Sequence, residues 1–148
     1  NVGARIEKMH EYREFLNRTW LFGGSISPAV QNRVADQMIR HGYRGANEQV
    51  KASQARSIFI VAGGTCQRLV NGQVEQTLII GDFFGEETIL FDKDLTDEYR
   101  SGEGAKLFEV PAEAISNIPA VMWKLLERHE KKTNVIAAEA PAELALVV

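Results

Sequence analysis

The chain has little of what most catalytic, metal-binding or membrane chemistry requires. It holds one cysteine, three histidines and four prolines in 148 residues. A single thiol, Cys66, cannot form an internal disulfide, so a reducing cytoplasm is the expected compartment. No base flanks that thiol to activate it, and a small inert apolar residue is expected there. His10, His41 and His129 are scattered, with no pair at metal-ligating spacing, and each reads as a surface or helix-end histidine. For His129 the setting is a helix C-terminus, where the dipole favours it. No apolar run approaches the roughly 20 residues that span a bilayer, and no charged-then-apolar leader signals secretion. There is no excess of positive charge. A net charge of −3 gives no electrostatic footprint for nucleic acid. The first residue is Asn1, which fits a segment of a larger protein.

What is present suffices for one domain with a substantial core: 45% of residues are apolar and 25% charged. Residues 4–20 have a helical stripe of Ile6, Met9, Phe15, Leu16 and Trp20. Trp20-Leu21-Phe22 is an apolar knot expected to dock on the core, and Gly23-Gly24 breaks the helix. Ser27-Pro28 opens a second helix, with Ser27 as cap and Pro28 at the first helical position. Val30, Val34 and Met38 or Ile39 keep helical spacing, which predicts a helix as far as Gly42.

The texture then changes to strands. Gln49–Ala52 reads as a short one. Ser57–Val61 is the strongest, apolar on both faces and so expected to be covered on both. Gly63-Gly64 is a turn and Cys66–Val70 the next strand. Asn71-Gly72 is a hairpin signal because both positions tolerate positive φ, and Val74–Ile80 is the return strand. Gly81-Asp82-Phe83-Phe84-Gly85 leads into one helical turn over Glu86–Leu90. Residues 91–104 are a polar loop with a short strand near Glu98–Arg100. A strand over Ala105–Val110 stops at Pro111. A short helix over Ala112–Ile118 and a longer one from Pro119 to about Lys132 follow. The expected organisation is an N-terminal helix (1–22), a central domain (23–132) and an Ala- and Glu-rich tail or linker (133–148). The fold class is mainly β: an antiparallel β-roll of jelly-roll type, covered by helices from both ends.

Four stretches, in order, resemble the cyclic-nucleotide-binding domain family. This module is shared by catabolite-activator-type regulators, cyclic-nucleotide-gated channels and the regulatory subunit of protein kinase A. The stretches are Leu21-Phe22-Gly23-Gly24-Ser25-Ile26-Ser27-Pro28; Ile58–Gly64; Gly81–Leu90, which is similar to the start of the family's phosphate-binding cassette; and Lys106–Pro111 with its two helices. Glycine lets backbone approach a ligand closely. A helical turn presents free N–H groups to an anion. The resemblance implies that Gly85 and Thr88 offer backbone N–H groups and that Glu86 holds a ribose 2′-OH. Glu87 is the neighbouring candidate, with a solvated surface role as its plainer reading. Thr88 stands where the family has Ala or Ser.

The family also places an arginine after the cassette turn to pair with the cyclic phosphate. By spacing it should fall near Leu95, where there is none. Asp82, Glu86, Glu87, Asp92, Asp94, Asp97 and Glu98 crowd this stretch, with Lys93 alone opposing them. A lost charge-assisted phosphate contact costs roughly 1.5–3 kcal/mol, one to two decades of affinity. Arg100 has two readings: a substitute phosphate partner, or a strand-edge arginine paired with nearby acids. Near Tyr43 the family's "PG" turn survives only as Arg44-Gly45, and its later "EG" is missing. Phe83 and Phe84 read as core. Trp123 could cap a ligand or sit in a dimer seam; packing against the roll is the plain expectation.

The resemblance implies a non-enzymatic regulatory sensor module with cAMP or cGMP as ligand, set within a larger signalling or transcription-regulatory protein. The alternative is a degenerate domain that binds no nucleotide and serves dimerisation or docking through its terminal helices. A cupin-like metalloenzyme would need clustered histidines on the central strands, which are absent. No nucleophile-elbow pattern occurs.

Overall fold

The structure, a computed structural model, describes residues 1–24 and 26–139. Residues 140–148, most of the expected tail, lie outside the described residues. Helix α1 (Val2–Arg18) starts at Asn1, whose side chain accepts from the Gly3 and Ala4 N–H groups. Its core-facing stripe is not the expected one. Tyr12 and Leu16 are buried, Phe15 packs beside them, and Ile6 stays exposed. The Thr19 hydroxyl ends the helix by donating to the Leu16 carbonyl and accepting from the Phe22 N–H. The chain then folds back so tightly that a Cβ on Gly23 would lie 2.7 Å from the Asn17 carbonyl oxygen. Only glycine fits that approach.

Helix α2 (Pro28–Gln37) carries the expected Ser27 cap, whose hydroxyl accepts from the Val30 N–H. It does not reach Gly42. Residues Ile39–Gly42 form strand β1 and pair antiparallel with β7 (Lys106–Pro111). The apolar spacing that suggested more helix was local and weak. Four residues of ladder pairing with a distant strand override it. Strand β2 (Ser57–Gly63) lies between β7 and the two-residue β5 (Phe83–Phe84), giving sheet order β1-β7-β2-β5. A second sheet has the order β4-β3-β6, from β3 (Cys66–Val70), β4 (Gln73–Leu78) and β6 (Glu98–Ser101). All pairings are antiparallel. The expected strand over Gln49–Ala52 reduces to one bridge between Gln49 and Arg100. The Asn71-Gly72 hairpin turn is as expected, with φ of 53° and 77°.

Strand β2 shows why the fold has two cores. Ser57 through Val61 are all buried, as the unbroken apolar run required. Successive side chains point to opposite faces. Ile58 and Ile60 face the helical layer, with Leu16, Phe22, Val34, Ile115, Val121 and Leu125. Phe59 and Val61 face the inter-sheet space, with Cys66, Leu78, Phe84, Tyr99 and Leu107. Phe84 stacks between Phe59 and Tyr99, so the aromatic pair of the cassette stretch is indeed core. Each such fully buried side chain contributes roughly 1.5–3 kcal/mol. The remaining helices among the described residues are α3 (Glu86–Leu90), α4 (Ala112–Ile115) and α5 (Pro119–Glu139). Helix α5 lies against α3, and its Val121 and Leu125 join the same core as Ile58 and Ile60 of β2, closing the helical layer beside the Gly85 turn.

Candidate functional site

The turn at Gly85 is built by backbone geometry that no other residue supplies easily. Gly85 has φ of 93°, and a Cβ there would lie 2.7 Å from the Ser57 carbonyl oxygen. Thr88 then fastens the turn to the start of β2. Its hydroxyl lies 2.8 Å from the Gly85 carbonyl and 3.0 Å from the Ser57 carbonyl, and accepts from the Ser57 N–H. The Thr88 N–H donates to the Gly85 carbonyl. The hydroxyl added at this position is thus a structural clip, and Thr88 is buried.

Glu86 follows, 2% exposed. Its Oε1 lies 3.4 Å from His129 Nδ1 and 3.6 Å from Lys132 Nζ, both on α5. Its Oε2 is buried and, like Oε2 of Glu87 beside it, receives no donor from any other described residue. Burial, and then the charge of Glu86, hold the Glu87 carboxyl above its ordinary pKa. Glu86 borders a cavity of about 80 Å³ whose other walls include Asp82, Phe83, Tyr99, Arg128 and Lys132. Drug-sized ligands occupy pockets of roughly 300–1,000 Å³. Helix α5 is what narrows this one. The Arg128 guanidinium lies over the rings of Trp20 and Phe83, at 4.6 and 5.3 Å. Lys124 donates to the Trp20 carbonyl.

Gly85, Glu86, Glu87 and Thr88 are therefore brought together. Arg100 is not with them. It sits on β6, pairs with Glu98 and donates to the Asn47 carbonyl at 3.0 Å. The acidic sequel to the turn is less exposed to repulsion than its sequence suggests. Asp92 and Asp94 pair with Arg56, and Asp97 with Arg68 at 3.2 Å. Those arginines come from more than 25 positions earlier, so a local charge count missed them.

Three further expectations change. His129 is not at a helix end: α5 continues to Glu139, and the ring meets Glu86 with Phe91 set edge-on against it. His41 is no free surface histidine, since its Nε2 lies 2.8 Å from buried Glu109. Trp123 does not pack on the roll but is 69% exposed. Burial pushes the Cys66 thiol up to about 12, in keeping with an inert residue. Sequence reasoning missed Arg128, His129 and Lys132. One signal was there: Lys124, Arg128 and Lys132 recur every four residues, one cationic stripe along a helix.

No helix among the described residues is long and apolar enough to cross a membrane. No family model matches the chain, and no curated protein matches its sequence. Solved structures do. The cAMP-bound regulatory subunit PfPKA-R superposes with a TM-score of 0.75 at 18% identity, over 90% of this chain and 48% of that one. The regulatory domain of Toxoplasma gondii PKA with cAMP gives 0.72 at 16% identity, over 88% and 52%. The regulatory subunit of a cAMP-independent protein kinase A from Trypanosoma cruzi, bound to guanosine, gives 0.69 at 17% identity, over 93% and 53%. The chain thus spans about half the length of these three neighbours. At these identities the likeness establishes the fold. It is the cyclic-nucleotide-binding domain β-roll with flanking helices.

Proposed function

We propose that the chain is a non-catalytic sensor module of a larger cytoplasmic regulatory protein. Its ligand is a nucleoside or cyclic nucleotide, recognised first through its ribose hydroxyls. One observation carries the reading. Glu86 is a buried carboxylate with an unpartnered oxygen, held at a rigid glycine turn and facing a cavity. A buried acceptor left unpaired costs roughly 1–3 kcal/mol. The free ribose 2′-hydroxyl of a cyclic nucleotide supplies one donor that would recover it, and the 2′,3′-diol of a free nucleoside supplies two. The ligand needs more room than the closed cavity offers, so binding is coupled to displacement of α5. That coupling is the regulatory output. The turn itself carries no arginine for a phosphate, and the cations on the cavity wall, Arg128 and Lys132, come from α5, so guanosine, the ligand of the T. cruzi neighbour, is tested beside cAMP and cGMP.

The test is thermal unfolding with each of cAMP, cGMP and guanosine at millimolar concentration. A ligand at about 100-fold over its Kd adds about 2.7 kcal/mol, a rise of roughly 8 °C for a domain of this size. The rise should vanish in Glu86→Gln. The second reading is a module that keeps the fold without the ligand and docks or dimerises through its terminal helices. The exposed Trp123 on α5 and the small cavity favour it. Three null melting curves, with a concentration-dependent dimer by light scattering, would decide for it.

A further inference from the structure

We infer that Glu86, Glu87 and His129 form a site for a divalent transition-metal cation of the zinc class, which would pin α5 onto the cassette turn. One ligand atom from each residue lies within 4.8 Å of the other two. The approach of His129 Nδ1 to Glu86 Oε1, at 3.4 Å, is long for a charge-assisted hydrogen bond, which runs about 2.7–2.9 Å. It does match the edge of a tetrahedron whose metal–ligand bonds are about 2.1 Å, which comes to about 3.4 Å. An independent observation points the same way. Among the described residues the Oε2 atoms of both carboxylates are buried with no donor from any other residue, and Glu86 is 98% shielded from water. Two carboxylates side by side in a buried setting are relieved either by a proton held between them or by a cation, and the test separates the two. Oxygen donors from two carboxylates with one imidazole suit zinc or manganese better than magnesium. Phe91, edge-on to His129 at 5.0 Å, fixes the ring plane.

Lys132 is the resident competitor. Its ammonium stands 3.6 Å from Glu86 Oε1, loosely held and 27% exposed. It compensates the pair in part and can swing to water when a metal enters. The site joins residues 42 and 43 positions apart in the chain, so an ion there would hold α5 closed and oppose any ligand that uses Glu86. The inference does not rest on the nucleoside reading, and its test contains no nucleoside.

Isothermal titration of the 148-residue chain with Zn²⁺, and in parallel with Mg²⁺, tests it. One zinc per chain is expected, with Mg²⁺ at least tenfold weaker. Glu87→Gln and His129→Gln should each weaken zinc binding at least tenfold with the fold intact by circular dichroism. Lys132→Gln, which removes only the competitor, should tighten it several-fold and serves as the check if a ligand variant fails to fold. Absence of zinc binding, equal binding of Mg²⁺, zinc binding unaltered in the ligand variants, or no tightening in Lys132→Gln overturns the site.

Discussion

Two buried glutamates, Glu109 and Glu86, lie in the same roll and have opposite surroundings. Glu109, on β7, is fully buried and fully satisfied. It accepts from the Ser53 N–H at 2.9 Å, the Gln54 N–H at 2.9 Å and the Ser57 hydroxyl at 2.8 Å, with His41 at 2.8 Å. These donors come from β1, from the segment before β2 and from β2 itself, so one carboxylate ties three parts of the chain together. Glu86 is as deeply buried but has two loose neighbours, the Lys132 ammonium and the His129 ring, and one oxygen without a donor from any other described residue. A carboxylate with every acceptor site used is a structural rivet. One left short of donors is held ready for something else.

The difference can be tested by breaking each in turn. Glu109→Gln should have the largest effect. Two backbone N–H groups and a hydroxyl would lose a charged acceptor, and a cost of roughly 3–5 kcal/mol is expected by chemical denaturation. The pH dependence comes next. Burial raises the Glu109 carboxyl, but the Ser53, Ser57, Gln54 and His41 contacts together outweigh it and leave it below its ordinary 4.5. A depressed folded-state pKa contributes stability that is fully present above the unfolded value and lost as pH falls through the folded one. The wild-type midpoint should therefore drop on acidification below about pH 4.5, and Glu109→Gln should flatten that limb. Glu86→Gln should have the smallest effect on stability, within about 1 kcal/mol. It removes an underpaired buried charge, and it strands no partner because Lys132 and His129 can turn to water. A cost for Glu86→Gln as large as for Glu109→Gln would erase the distinction.

The same contrast marks how far the sequence could be read. Gly85 and Glu86 were legible because a glycine turn and its carboxylate are adjacent in the chain. Glu109 was not. Its partners lie 52 to 68 positions away, and nothing in Phe-Glu-Val says that the middle residue faces inward. Ser57–Val61 was legible as a strand because an unbroken apolar run needs cover on both faces. Ile39–Gly42 was not, because its strand character comes from β7. The roll itself followed from hairpin turns and element order. The wall of the site did not, since Arg128, His129 and Lys132 reach it from the far end of the chain by the packing of α5.

Trp20 gives this arrangement an optical consequence. Its ring is nearly parallel to Phe83, 5° apart, and its other close neighbours are the Arg128 and Lys124 cations carried by α5. If the helix lifts, the indole loses both charges and gains solvent, and its emission changes colour and yield. The other indole, Trp123, on the same helix, is 69% exposed against 43% for Trp20. The chain therefore carries its own fluorophore for the seating of α5, readable without a label.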